Sequence, residues 1–472
     1  MLYKAYPKTK TNMFEFLNVA KRVSLQSILL CSLSGAVQGQ TDTTTEFKPH
    51  GILWGSAFGD FAYKANVDNL VRGVNQYGTV PANTNLLQWR RVYLGYSYEI
   101  SKSFSADVVM AAENDYAAGL LGQPANATST NVKTVAGQTG TTTTPGTLTF
   151  GTNGDILLNN KFAPYIKLAN LRWKNIWKGT DLVFGQMNGP AYGINGRNNQ
   201  TSEEVWAYRS IEKTVSDFAG TPCFDFGAEL QGWFDGKGNF GYDVMVANGQ
   251  QAKPENDPYK WFSADVYAKF FDKRLIIDLY QDYEKLHWGV YNAGPNGTWY
   301  HDRNTTKLFA AWNSKKIKLG FEGFQTTILG DVKVSGKDGN TYYRTTDAIA
   351  MSFFVRGRIV SDNKDRAKLS FFARYDNFDP SGNLNNIAND INTKAYTATT
   401  AVYDPTTKTQ FMVLGFDYTP LKNIHIMPNF WMFTYNSSLT DNTKNEALNN
   451  FVTSSKGTDA VWRLSFYYIF GK

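Results

Sequence analysis

Between residues 188 and 222 the chain carries Arg197, Glu203, Glu204, Arg209, Glu212 and Lys213, with Trp206 and Tyr208 among them. Both charge signs share one short stretch, and the two aromatic rings can anchor it against a wall. This combination suits electrostatic selection rather than bond breaking. Folded across a narrow aqueous passage, opposed acidic and basic groups set a transverse field that favours small polar solutes over apolar ones. As an outward surface loop the same residues select nothing. A second set lies on alternating segments. Arg91, Glu99, Glu229, Lys318, Glu322, Arg356, Arg358, Lys368, Arg374 and Arg463 fall on the face opposite an apolar row. Asp107, Asp243, Asp265, Lys269, Asp278 and Asp376 do the same. Such residues line a water-filled interior, or they form cross-strand ion pairs that hold its wall.

Catalytic chemistry finds no support. The four histidines, His50, His287, His301 and His425, show no metal-ligand spacing on one element, so neither a metal nor a cofactor is expected. No Ser motif accompanies them, and no phosphate-cradling Gly-Lys-Ser/Thr run exists. The segment Asp376 to Asn383 is acidic but lacks calcium-loop spacing. Neither catalytic residues nor an enzyme are expected.

The elements that would position the charges are strands. In the last of them, Trp462, Leu464, Phe466, Tyr468 and Phe470 alternate with Arg463, Ser465 and Tyr467. Successive side chains on a strand face opposite ways, so this strand has one greasy face. The pattern repeats along the chain. Val92, Leu94, Tyr96 and Tyr98 share a face, as do Phe104, Ala106, Val108 and Met110, and Phe240, Tyr242, Val244 and Val246. About sixteen strands can be counted, joined alternately by one short turn and one long connection. The long ones fall near 65–86, 113–161, 188–222, 247–260, 283–304, 327–346, 378–409 and 435–459.

That asymmetry predicts an all-β, transmembrane antiparallel β-barrel with short periplasmic turns and long extracellular loops. A soluble sandwich has no reason to sort its loops by length. Aromatic residues near strand ends (Tyr98, Phe270, Tyr418, Tyr468) suit interface girdles. Only half of each strand meets lipid, so a mean hydropathy of -0.38 is compatible with the membrane. No apolar run reaches transmembrane-helix length, which excludes a helical membrane protein.

Residues 1–39 read as a signal peptide, with Lys21 and Arg22 as the basic flank and Val23 to Leu33 as the apolar segment. Val37-Gln38-Gly39 offers compact residues before a cut. Residues 40–50 form a periplasmic N-terminal linker, and 51–472 the transmembrane β-barrel. The linker is too short for the folded plug of a gated transporter. The formal charge of +7 falls to +3 once the leader's net +4 is set aside, and this is no nucleic-acid footprint. Cys223 stands alone in the mature chain, so no internal disulfide forms.

Several motifs carry a family resemblance. Gly185-Gln186-Met187-Asn188-Gly189-Pro190, then Arg209-Ser210, then the strand pair beginning at Phe226, resemble the phosphate-selective porin O/P type of bacterial outer-membrane porin. Trp89-Arg90-Arg91 and Ala373-Arg374-Tyr375-Asp376 resemble further pieces of that pattern. The resemblance implies a sixteen-stranded, often trimeric porin, hence a homotrimer in the outer membrane of a Gram-negative cell. The chain departs from the pattern at Asn188, where the family often has Lys, and at Ala191, where an aromatic is usual. Balanced inward charge argues against strong anion selection.

The expected function is a water-filled channel for passive diffusion of small polar or ionic solutes, with outer-membrane lipid around it and no nucleic-acid partner. The alternative is a plugged barrel whose loops bind a partner or surface polymer. The long Thr- and Gly-rich stretch at 113–161 motivates that alternative.

Overall fold

In the computed structural model the described residues are 47–68, 77, 80–113, 164–192, 223–255, 258–285, 291–293, 297–299, 302–335, 341–363, 366–380, 382, 397–401, 407–437 and 457–471. Pro49–Lys472 forms one compact unit. Met1–Lys48 is clustered separately, and only Phe47 and Lys48 of it are described. The expected signal peptide therefore lies outside the described residues.

The strands are β1 (His50–Asn66), β2 (Thr84–Glu99), β3 (Phe104–Glu113), β4 (Tyr165–Trp177), β5 (Thr180–Asn188), β6 (Phe224–Trp233), β7 (Phe240–Ala247), β8 (Trp261–Phe270) and β9 (Leu275–Lys285). A small hairpin follows, β10 (Tyr291–Ala293) with β11 (Gly297–Trp299). The wall continues with β12 (Asp302–Asn313), β13 (Ile317–Ser335), β14 (Thr341–Ser361) and β15 (Ala367–Asp379). The short β16 (Thr397–Ala401) pairs with the far end of β13. The last three are β17 (Thr407–Leu421), β18 (Ile424–Ser437) and β19 (Gly457–Phe470).

Sixteen of these close into one antiparallel barrel. The joint is β1 against β19, running from Gly55 opposite Phe470 to Asn66 opposite Ala460. Closure gives each of these sixteen strands a neighbour on both sides, as hydrocarbon requires.

Local chemistry sets the register. On β7, Phe240, Val244 and Val246 are exposed while Gly241, Asp243, Met245 and Ala247 are buried. β8 repeats this, with Phe262, Val266 and Phe270 outside and Asp265, Tyr267 and Lys269 inside. The outer face carries large exposed apolar side chains around the wall, among them Leu94, Phe184, Phe353, Phe416 and Trp462. Phe270, Tyr418 and Tyr468 stand exposed at the short-turn ends of their strands. So large an apolar surface is unfavourable in water and suited to lipid. No helix among the described residues is long and apolar enough to cross a membrane. The chain crosses with strands, as an outer-membrane barrel.

Two features depart from the sequence reading. The expected long connection at 327–346 is mostly strand, because β13 runs on to Ser335 and β14 starts at Thr341. Its Val, Tyr and Thr residues suit extended backbone. The second is a bulge in β2. Phe58 faces Arg91 while the next residue, Gly59, faces Trp89, so Arg90 is the extra residue. A bulge of this kind brings two successive side chains to one face. Both Arg90 and Arg91 are buried, with Trp89 and Val92 exposed on either side.

Candidate solute pathway on the inner face

The inner face is built where the barrel closes. Asp60 on β1 accepts a hydrogen bond from Tyr77 Oη at 3.0 Å, and Arg90 Nε lies 3.3 Å from the same carboxylate oxygen. Its other oxygen accepts from Ser465 Oγ on β19 and lies 4.0 Å from Arg463 Nε. Arg463 in turn donates to Asn429 on β18 at 3.2 Å. One turn further along the seam, Lys64 pairs with Asp459 at 2.6 Å, and Asp459 also accepts from Tyr435 Oη at 3.0 Å. First and last strands are thus tied by charge as well as by backbone.

Tyr77 belongs to the first long connection, between β1 and β2, yet it is wholly buried. Its ring meets Trp431 edge-on at 5.2 Å, and its carbonyl accepts from Lys64 Nζ at 3.0 Å. The sequence reading missed this inward residue. A lone tyrosine in a polar segment carries no periodic signal to reveal it.

Next along the wall, Glu113 accepts from Lys167 Nζ at 2.7 Å and from the hydroxyls of Tyr93 and Tyr165. Arg91 stands directly across the strand pair from Glu113. Glu99 accepts from Lys174 near the short turn. Arg172 on β4 donates to Asp181 at 3.1 Å and to Gln231 at 2.7 Å, while Gln231 donates to Glu229 at 2.9 Å.

From β6 to β9 the inner face turns acidic. Glu229, Asp243, Asp265 and Asp278 are each almost fully buried. Asp243 faces Asp265 directly, and the Asp243 backbone N–H donates to Asp265 at 3.0 Å. Across β12, Lys307 lies 4.0 Å from Glu322 and donates to the Ala191 carbonyl. Ala191 sits in the single turn Pro190–Tyr192 that follows β5. It packs with Met187, Met245, Trp261 and Tyr280 on the inner face. Gly189 N–H donates to the Cys223 carbonyl at 3.0 Å, which pins the two ends of the 190–222 segment together. Its first turn therefore heads into the barrel.

From β13 to β18 the inner face becomes aromatic. Phe411, Trp431 and Phe433 pack ring on ring, with Phe411 and Phe433 at 4.5 Å. Arg374 lies 5.0 Å over Phe411 and grips Asp376 at 2.8 Å, and Ser352 donates to Asp376 at 2.6 Å. Arg356 donates to Asp417 at 3.0 Å and stands across from Lys318. Arg358 is half-buried, and Lys368 is exposed beside the turn before β15.

The ten residues expected to face inward thus share the inner parity of their strands but not one cluster. Glu99, Arg358 and Lys368 sit at the short-turn end. Arg91, Glu229, Glu322, Arg374 and Arg463 are buried within the wall, with Arg356 and Lys318 half-buried. Arg197, Glu203, Glu204, Arg209, Glu212 and Lys213 lie outside the described residues. Charge is spread unevenly: the seam and β2 set Lys64, Arg90, Arg91 and Arg463 against Asp60 and Asp459, while β6 to β9 carry Glu229, Asp243, Asp265 and Asp278. Among the described residues no cluster of His, Cys, Asp and Glu is arranged to hold a metal ion.

No protein-family model and no curated protein matches this sequence. Solved structures with similar folds include an anion-selective porin from Comamonas acidovorans, with a TM-score of 0.49 at 11% identity over 90% of this chain and 100% of that one. OprB of Pseudomonas putida gives 0.47 at 8% identity, over 89% and 94%. OmpF of Salmonella typhi, solved with daunomycin, gives 0.45 at 10% identity, over 89% and 97%.

Proposed function

We propose that this protein is an outer-membrane porin, a water-filled channel for passive diffusion of small polar or charged solutes. One observation carries the reading: a closed barrel of sixteen strands whose outer face is apolar and whose inner face carries charged groups all round, joined by aromatic rings from β13 to β18. Barrels of this size have room for an aqueous channel, and the charged groups on the inner wall favour polar solutes over apolar ones. Arg91, Glu99, Glu229, Lys318, Glu322, Arg356, Arg358, Lys368, Arg374 and Arg463 line the path on this reading. On this reading the 188–222 segment narrows it, and Arg197, Glu203, Glu204, Arg209, Glu212 and Lys213 supply charges of both signs. The inward turn at Ala191 supports that placement. The acidic strip on β6 to β9 faces a more basic seam, so the channel selects by a transverse field rather than by one sign of charge. The resemblance to the phosphate-selective O/P type supports a porin more than it supports phosphate.

The burial of the inner wall favours a second reading, a plugged barrel whose loops bind a partner or surface polymer. Trp431, Arg374, Lys64 and Asp265 are each at most 2% exposed. Swelling of liposomes that carry the protein, in sugars of graded size, separates the two. A porin admits the small sugars and excludes the large ones. A plugged barrel admits none.

A further inference from the structure

Charge is divided unequally between the two ends of the barrel. At one end seven turns of two to six residues join consecutive strands, at 100–103, 178–179, 234–239, 271–274, 314–316, 362–366 and 422–423. This is the periplasmic end of an outer-membrane barrel. Together these turns hold ten Lys and Arg against four Asp, and each contains at least one Lys. The connections at the other end are together far longer, yet they hold twelve Lys and Arg against fourteen Asp and Glu. The excess of positive charge on the short turns is twice the net +3 of residues 40–472.

Lys102, Lys178, Lys237, Lys273, Lys316 and Lys422 are exposed, each in a different turn. Each stands beside a large exposed apolar side chain. Trp177 precedes Lys178, Leu421 precedes Lys422 and Ile317 follows Lys316, while Ile100, Phe234 and Phe271 come two or three residues before their lysines. Two of the four acids serve their own turns. Asp235 accepts from the Asn239 and Phe240 N–H groups, and Asp362 pairs with Arg366 at 2.6 Å. So short a turn keeps its lysine at the edge of the apolar belt, where the stem lies on apolar surface and the ammonium reaches headgroup level. Lysine beside an apolar girdle fits a lipid interface. A soluble acidic protein or polymer would meet the lysines and leave Trp177, Phe234, Phe271 and Leu421 unused. The turns also follow one another round the closed wall, as an annulus of lipid does and a single docked protein does not.

We infer that this ring of lysines binds the anionic headgroups of acidic glycerophospholipids in the periplasmic leaflet, so that the barrel gathers an annulus of acidic lipid at its short-turn end. Basic side chains at an anionic surface are attracted to it, and salt screens the attraction. This goes beyond the channel reading and does not depend on it.

The test reconstitutes the folded chain in mixed bilayers of phosphatidylcholine and phosphatidylglycerol and follows its tryptophan fluorescence. One lipid or the other carries a bromine quencher, so the two quenching levels give the relative occupancy of the annulus. The wild type should favour phosphatidylglycerol about five-fold, which is what one lysine near an anionic surface supplies. High salt should abolish the preference. The variant K102Q/K178Q/K237Q/K273Q/K316Q/K422Q should show none, and K133Q/K161Q/K253Q/K337Q/K394Q/K444Q, changed on the long connections, should keep it. Heat-modifiable gel mobility checks that both fold. Equal occupancy by the two lipids in the wild type overturns the inference, and so does an equal preference in the two variants. Should the first variant fail to fold, the wild type decides alone, since a preference that high salt leaves unchanged overturns it. Co-sedimentation of the wild type with purified peptidoglycan, without a lipid preference, overturns it in favour of a polymer partner.

Discussion

Lys64 on the first strand and Asp459 on the last form an ion pair of 2.6 Å in which neither side chain reaches water. The pair sits on the joint that turns a sheet into a barrel, beside the Asp60–Arg90–Arg463 group. A charge buried there is favourable only while its partner stays, because desolvation of one ion alone costs more than the pair returns.

Lys64→Met should therefore weaken the closing seam. Removing one partner of a buried pair typically costs about 3–5 kcal/mol. The lower end applies here, since Asp459 keeps hydrogen bonds from Tyr435 and the Asp68 N–H. The double variant Lys64→Met/Asp459→Leu should recover much of the loss. Urea titration of the folded band in lipid vesicles measures both.

Gly185 sits on β5 with φ of +117°. A Cβ there would lie 2.3 Å from the Ala169 carbonyl oxygen, which is backbone and cannot swing away. Gly185→Ala should cost about 2 kcal/mol or more and loosen the β4–β5 pair. Amide hydrogen exchange across that pair reads the change. Unaltered protection would contradict it.

Tyr77→Ala should raise single-channel conductance, because it clears an aromatic ring from the inner face and uncovers Asp60 and Arg463. Tyr77→Phe should leave conductance nearly unchanged, since it removes only the hydroxyl that donates to Asp60. Recordings of the two variants beside the wild type decide this. Equal conductance in all three would place Tyr77 off the solute path.

The turn between β6 and β7 gives a pH-dependent feature outside the membrane. Desolvation pushes the Asp235 carboxyl upward, but N–H donation from Phe240 and Asn239 together outweighs it and holds the group below its ordinary 3.8. A folded-state value that is depressed adds stability above the ordinary value, and that stability is lost as pH falls through the folded value. Exchange at the Asn239 and Phe240 amides, corrected for intrinsic rates, should thus accelerate below about pH 4. In Asp235→Ala it should be fast at every pH.

Much of the barrel is legible in the sequence because lipid and water impose opposite demands on alternate residues. On β7 and β8, Val244 and Val266 against Asp243 and Asp265 fix the faces unambiguously. The long and short connections add the orientation. Legibility fails where that contrast disappears. On β17 and β18 both faces are apolar, so alternation alone cannot tell that Phe411, Trp431 and Phe433 turn inward while Leu414 turns outward. It fails again at Arg90, where a bulge shifts the phase by one residue. The clue was present: Leu87 and Trp89 keep one parity, Val92 and Leu94 the other. The Tyr77 contact joins residues far apart in the chain and obeys no local period. The Lys64–Asp459 pair was hidden for the same reason, since it required the register of first strand against last.

On the porin reading an open aqueous path runs through the barrel. Purified protein added to a planar lipid bilayer under voltage measures it directly. Discrete conductance steps that scale with salt concentration are expected of a porin. A folded barrel that inserts and gives no steps would contradict it.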